Sequence, residues 1–223
     1  MDGKLFAQAM LKFFGGLVLV GAPLFLPAGT FDFWQAWLLI GALFIPMFIA
    51  GLVMMWKNPA LLRKRLNARE EQAEQKAVVA LSGLMFLAAF VLAGLNRRFR
   101  WIVLPDAVSW AAVAVFLIAY ALYAEVLREN AYLSRTIEVQ ENQKVVDTGL
   151  YGIVRHPMYM ATIFLFLSMP LILGSILSFA VMLGYIPVIA LRIRNEEAVL
   201  EQGLEGYSEY KRRIQYRVIP FLW

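Results

Sequence analysis

The sequence has no cysteine and a single histidine, His156. The first absence excludes disulfides and thiolate metal sites and leaves the redox compartment unread. The second excludes a His-rich metal centre, and too few intramembrane acids occur for a carboxylate one. Charge is scarce as well: 17% of the 223 residues are charged, against about a quarter in an ordinary soluble domain. G-x-S-x-G, H-E-x-x-H, a P-loop and a strand-borne G-x-G-x-x-G are all missing. Acids and bases are also absent from the middle of the apolar runs, where an ion path would need them. No internal repeat or low-complexity segment occurs.

What the chain has in excess is apolar surface, 61% of its residues. One domain of this length has too little interior to hide so much, whereas a bilayer is itself an apolar solvent. Four runs are of spanning length: Leu11 to Ala28, Phe31 to Trp56, Ala77 to Leu95 and Ala107 to Leu127. The first follows a short basic start and is closely succeeded by the second, which predicts a retained helix rather than a cleaved signal peptide. Trp34, Trp37 and Trp56 stand where interfacial aromatics are expected. A fifth tract, Pro157 to Leu191, is too long for one crossing. As a single helix it would extend roughly 50 Å against a hydrocarbon core of about 30 Å. Pro170 and Gly174 near its middle predict a tight hairpin of two helices.

The expected fold is therefore all-α and integral to the membrane, with about six transmembrane helices and the last two forming the hairpin. Residues 1–127 hold the four N-terminal helices, and residues 128–223 hold a polar loop, the hairpin and an amphipathic tail. An even number of crossings puts both termini on one side. All but three of the 21 Lys and Arg residues fall on that side, the exceptions being Arg97, Arg98 and Arg100. The positive-inside rule makes it cytoplasmic.

Two polar blocks flank the hairpin. The first, VVDTGLYGIVRHPMY from Val145 to Tyr159, gathers turn formers, Arg155, His156 and two tyrosines. Gly149 and Gly152 permit close backbone approach, and Pro157 is placed to open the next helix. Backbone N–H groups at that helix start would suit an anionic ligand. Equally, Arg155 and His156 would simply meet lipid phosphates. In the second block, Arg192 and Arg194 precede the adjacent carboxylates Glu196 and Glu197. A positive-inside flank explains the arginines but not the paired acids, which contribute little to topology. The tail beyond, with Tyr207, Tyr210 and Lys211 to Arg213, reads as a basic segment lying along the headgroups.

In these blocks the chain resembles the isoprenylcysteine carboxyl methyltransferase family and its relatives, the membrane phospholipid and amine methyltransferases. The resemblance rests on G-x-Y-x-x-x-R-H-P-x-Y at Gly149 to Tyr159, and on Glu196 and Glu197 with Leu200 three residues on. A hairpin separates the two motifs, and the tail GYSEYKRRIQYRVIPF is similar to the family's terminal stretch. Leu150, Ala161 and the Gly203–Leu204 pair depart from residues common in the family.

The resemblance implies S-adenosylmethionine as cofactor. Gln143, Lys144, Val145, Val146, Tyr151, His156, Pro157, Met158 and Tyr159 would line its site, with Gln140 nearby, and Glu196 would meet its positive charge. Arg192 would face the acceptor, where a guanidinium can hold a carboxylate or phosphate. A carboxylate acceptor is already ionised and needs no base. An amine would lose a proton to Glu197 or Tyr159, so Arg192, Tyr159 and Glu197 are the candidate catalytic residues. The expected partners are membrane lipids and a lipophilic or prenylated substrate entering between helices, with no nucleic acid and no metal. Two other readings stay open: a non-enzymatic lipid-binding or assembly protein, and an NADPH-dependent reductase of the sterol-reductase kind. Adjacent glutamates would disfavour the phosphate-rich cofactor of the latter.

Overall fold

The computed structural model describes residues 3–67, 73–130, 132–133 and 139–223, and those residues contain helices but no strand. Residues 1–2, 68–72, 131 and 134–138 lie outside the described part, including portions of both long polar stretches. The four expected N-terminal helices are α1 (Gly3–Ala28), α2 (Trp34–Lys57), α4 (Ala73–Phe99) and α5 (Asp106–Glu129). A short helix, α3 (Pro59–Asn67), occupies part of the polar block after α2. The C-terminal region contains α6 (Pro157–Ile172), α7 (Ile176–Met182), α8 (Tyr185–Gly203) and α9 (Tyr207–Arg213).

Among the described residues, five helices are long and apolar enough to cross a bilayer, counting α7 and α8 together as the fifth. Against the expected six, α6 is the shorter one, with 16 residues. At 1.5 Å per residue it extends roughly 24 Å, less than the hydrocarbon core of about 30 Å.

The overlong apolar tract reverses at Gly174, whose φ of +67° is left-handed. The Ser175 amide donates to the Pro170 carbonyl and the Gly174 amide to that of Leu171. This is the Schellman ending, in which a residue without Cβ takes the left-handed position. The Ser175 hydroxyl then caps α7 by accepting from the Ser178 amide. Tyr185 donates to Thr162, and Arg192 donates to Tyr159, so α6 and α8 run antiparallel. The second arm is broken at Leu183 and Gly184, an interruption the sequence reading did not place. Pro187 accounts for it, having no N–H to donate and a ring that clashes with the carbonyl four residues earlier, that of Leu183.

α6 is the central helix. It packs along α5 and also meets α2, α4, α7 and α8. Phe33, Leu39, Phe90 and Phe116 from the N-terminal region form one core with Leu165, Met169 and Ile172 of α6. The two regions divided at residue 127 thus share their packing. Gly94 lets α4 lie directly on α1, since a Cβ there would come 2.5 Å from the Leu24 carbonyl oxygen. By contrast Leu11, Phe14, Val18 and Leu19 of α1 are exposed, as a lipid-facing stripe is.

Candidate active site at the mouth of the hairpin

On a helix, neighbouring residues point roughly 100° apart, whereas residues four apart share a face. Glu196 and Glu197 therefore look in different directions, while Arg192, Glu196 and Leu200 form one stripe. That stripe lines a pocket at the mouth of the hairpin. Glu197 does not line it.

Glu197 is instead the centre of a buried ionic hub. It is 3% exposed. Arg155 Nε donates to its Oε1 at 2.8 Å, and His156 Nε2 approaches the same oxygen at 3.2 Å. Arg217 Nε and Lys211 Nζ lie 3.3 and 3.4 Å from Oε2. Arg155 is buried too, and its Nη1 donates to the carbonyls of Ile214 and Gln215 at 2.6 and 2.9 Å. Backbone bonds continue the join: the Arg155 amide donates to Tyr216 and the His156 amide to Arg217. The hub ties the loop before α6, the end of α8 and the tail into one piece.

The loop itself is held by α5. Gly149 has a φ of +53° and opens a 3-10 turn, Gly149–Gly152. A Cβ at Gly149 would collide with the carboxylate of Glu129, which accepts from the Leu150 amide at 3.0 Å. Asn130 donates to the Tyr151 hydroxyl at 2.9 Å, fixing that ring at the pocket wall. Pro157 is the first residue of α6 and His156 its N-cap, as expected. The amides of Tyr159 and Met160 donate to the His156 carbonyl, and Pro157 has no N–H.

The pocket and its open mouth together span about 840 Å³. Its walls include Gln143, Lys144, Val145, Val146 and Tyr151 from the loop, His156, Met158 and Tyr159 at α6, and Arg192 and Glu196 of α8. Of the residues singled out in the sequence, Pro157 and Glu197 stand behind this wall. The Tyr159 hydroxyl donates to Glu196 Oε2 at 2.5 Å and accepts from Arg192 Nε at 3.0 Å. One phenol thereby couples the guanidinium to the carboxylate.

Asn130, Tyr132, Tyr207 and Tyr210 also line the pocket, and sequence reasoning missed them as site residues. The tail was expected along the headgroups. One face of it is taken up inside the protein: Tyr207 and Tyr210 are buried with Leu204 against Val139 and Val145, while Ser208, Glu209, Arg212 and Arg213 of α9 are exposed. The three-residue spacing of Tyr207 and Tyr210 was the available signal, because it puts both rings on one face of α9. Burial pushes the Tyr210 hydroxyl's pKa up, and that hydroxyl donates to the Tyr151 carbonyl at 2.8 Å. Burial likewise raises that of Tyr207, and the carboxylates of Glu197 and Glu196 push it further. Both are neutral phenols at physiological pH. The Tyr207 hydroxyl, however, has no hydrogen-bond partner among the described residues.

With this geometry established, comparison with known proteins is informative. Residues 107–205 match the phospholipid methyltransferase family model. The matched segment contains α5, the loop motif, the whole hairpin and both glutamates. A stretch of 91 residues is 29% identical to the Delta(14)-sterol reductase of Mus musculus, covering 40% of this chain and 22% of that protein. The chain thus spans about a fifth of that relative's length, and the likeness is confined to a part of each.

The pocket's chemistry fits the cofactor that methyltransferases of this kind generally use. A carboxylate, Glu196, faces the cavity for a cationic group, aromatic walls are available for a nucleoside, and one buried hydroxyl lacks a partner. The fit is not to a sulfonium alone, because Lys144, Arg155 and Arg192 also line the cavity. Only one of the two glutamates opposes them there. The pair therefore does not repel a phosphate-rich cofactor in the way the linear sequence suggested.

Proposed function

We propose that this chain is an S-adenosylmethionine-dependent methyltransferase of the membrane, acting on a lipophilic acceptor, with its pocket open to the cytoplasm. The observation that carries this reading is the single cavity shared by Tyr151, His156, Met158 and Tyr159 of the loop motif with Arg192 and Glu196 of α8. It lies largely within the segment that matches phospholipid methyltransferases. The distribution of Lys and Arg supports the cytoplasmic side.

S-adenosylmethionine, when bound, supplies an already activated methyl group on a sulfonium centre. Gln143, Lys144, Val145, Val146, Tyr151, His156, Met158 and Tyr159 would hold it, with Pro157 setting the start of α6 behind them. Glu196 offers the negative charge that a cation requires, and Tyr159 keeps that carboxylate oriented by donating to it. Arg192 holds an anionic group of the acceptor: a carboxylate that is itself the nucleophile, as in an isoprenylcysteine, or the phosphate of a lipid amine. The protein's contribution is alignment and exclusion of water. Glu197, considered from sequence as a proton acceptor, is surrounded by Arg155, His156, Lys211 and Arg217. Its part in this proposal is to position His156 and Arg155.

A second reading is a membrane reductase using NADPH, favoured by the partial likeness to the sterol reductase and by the basic residues in the pocket wall. Equilibrium binding of S-adenosylmethionine and of NADPH to the detergent-purified protein separates the two. The expected result is saturable binding of S-adenosylmethionine, with none of NADPH. Binding of NADPH alone would replace the methyltransferase reading with the reductase, and binding of neither would favour a non-enzymatic lipid-binding role. Where the first ligand binds, incubation of membranes with methyl-labelled cofactor identifies the acceptor by its label.

A further inference from the structure

The Tyr207 hydroxyl is an anomaly of the free protein. Its side chain is 4% exposed, it lines the pocket, and no described residue hydrogen-bonds to it. Leaving a buried hydroxyl unpaired forfeits the hydrogen bonds it made in water, so groups in that position normally find partners. Its neighbour in α9 shows the ordinary arrangement, since Tyr210 donates to the Tyr151 carbonyl. Glu196 lines the same cavity, and its carboxylate acts electrostatically on Tyr207 without bonding to it. Glu196, an anionic acceptor, and Tyr207, a neutral O–H donor with no described acceptor, thus belong to the wall of one cavity.

A ligand group that is only cationic would satisfy Glu196 and leave the phenol as it stands. A ligand group that is only anionic would satisfy the phenol, and Lys144, Arg155 and Arg192 in the wall would favour it, but it would bring no cation to Glu196. A zwitterionic α-amino acid meets both requirements at once. We propose that Tyr207 is the ligand of the cofactor's α-carboxylate, donating its O–H while Glu196 receives the α-ammonium. The inference rests on the methyltransferase reading of the pocket and deepens it. It makes Tyr207 and Glu196 the recognition pair for the amino-acid end of an amino-acid-bearing nucleoside.

The test is Tyr207→Phe, which removes only the hydroxyl. Binding to the detergent-purified protein is measured for S-adenosylhomocysteine and for its decarboxylated analogue, which keeps the ammonium and lacks the carboxylate. The variant is expected to bind S-adenosylhomocysteine about tenfold or more weakly, the range for a hydrogen bond to a charged group. It is expected to bind the decarboxylated analogue as the wild type does, so the loss depends on both partners. Without ligand, its melting temperature should equal or exceed that of the wild type, because no internal bond is lost. Tyr210→Phe is the control and should melt lower. Equal affinity of wild type and Tyr207→Phe for S-adenosylhomocysteine would overturn the assignment and leave the methyltransferase reading intact. So would an equal loss for both ligands, which would place the hydroxyl against another part of the molecule. A lower ligand-free melting temperature for Tyr207→Phe would give the residue a structural role and also overturn it. Absence of any binding to the wild type would remove the inference together with the reading beneath it.

Discussion

α1 and α6 are both apolar helices, yet they occupy opposite environments. Of the 26 residues of α1, four are buried, while Leu11, Phe14, Val18 and Leu19 form an exposed apolar stripe. Of the 16 residues of α6, nine are buried, among them Pro157, Tyr159 and Ser168. A bilayer accepts apolar surface almost anywhere, so packing is concentrated where a polar site must be held. The difference sets a helix with one face left open against a helix enclosed by its neighbours, and the enclosed one carries the pocket wall at its start.

That comparison would break first at the ionic hub. Glu197→Ala leaves Arg155 buried without its carboxylate, and removing one partner of a buried pair typically costs about 3–5 kcal/mol. The expected outcome is a large fall in melting temperature in detergent, together with lost cofactor binding. An unchanged melting temperature would mean that the hub does not join the three segments. A smaller effect is expected from Gly149→Ala. Left-handed backbone costs a residue with Cβ about 1–2 kcal/mol, and displacing Glu129 forfeits its bond to the Leu150 amide, for about 1 kcal/mol more. Reduced cofactor affinity with the helix content intact by circular dichroism would show the loop alone giving way. The smallest effect belongs to the lipid-facing stripe. Leu19→Ala, at a residue 74% exposed, is expected to change stability by no more than about 0.5 kcal/mol. A large effect there would show that α1 has a partner on that face, and the contrast with α6 would narrow.

Much of this was legible in the chain. Length and hydropathy marked α1, α2, α4 and α5, and the reversal near Gly174 followed from the excess length of one apolar tract. The order of the two motifs brought Tyr159, Arg192 and Glu196 to one mouth before any geometry was known. Other features were hidden for physical reasons. The adjacency of Glu196 and Glu197 in the chain concealed their divergence, because a single helical step turns one toward the pocket and the other into the hub. Tyr207 and Tyr210 lie in a basic segment whose composition suits headgroups, and only the three-residue spacing betrays the buried face. The break before α8 comes from Pro187, whose effect falls four residues upstream of itself. Asn130 and Tyr132 carried no sequence signal of a site, since the loop that returns them to Tyr151 and Asn142 has no regular period.

The bonds from the Arg155 and His156 amides to the carbonyls of Tyr216 and Arg217 impose an order of events during synthesis. Arg155 and His156 leave the ribosome some sixty residues before their acceptors do. Until the tail arrives, Arg155 also lacks the Ile214 and Gln215 carbonyls, and Glu197 lacks Lys211 and Arg217. A nascent chain can therefore be fully inserted and still have no pocket. Shortened products ending before Tyr216 would lack the join that holds the loop to the tail, so segment 214–217 is what fastens the pocket wall.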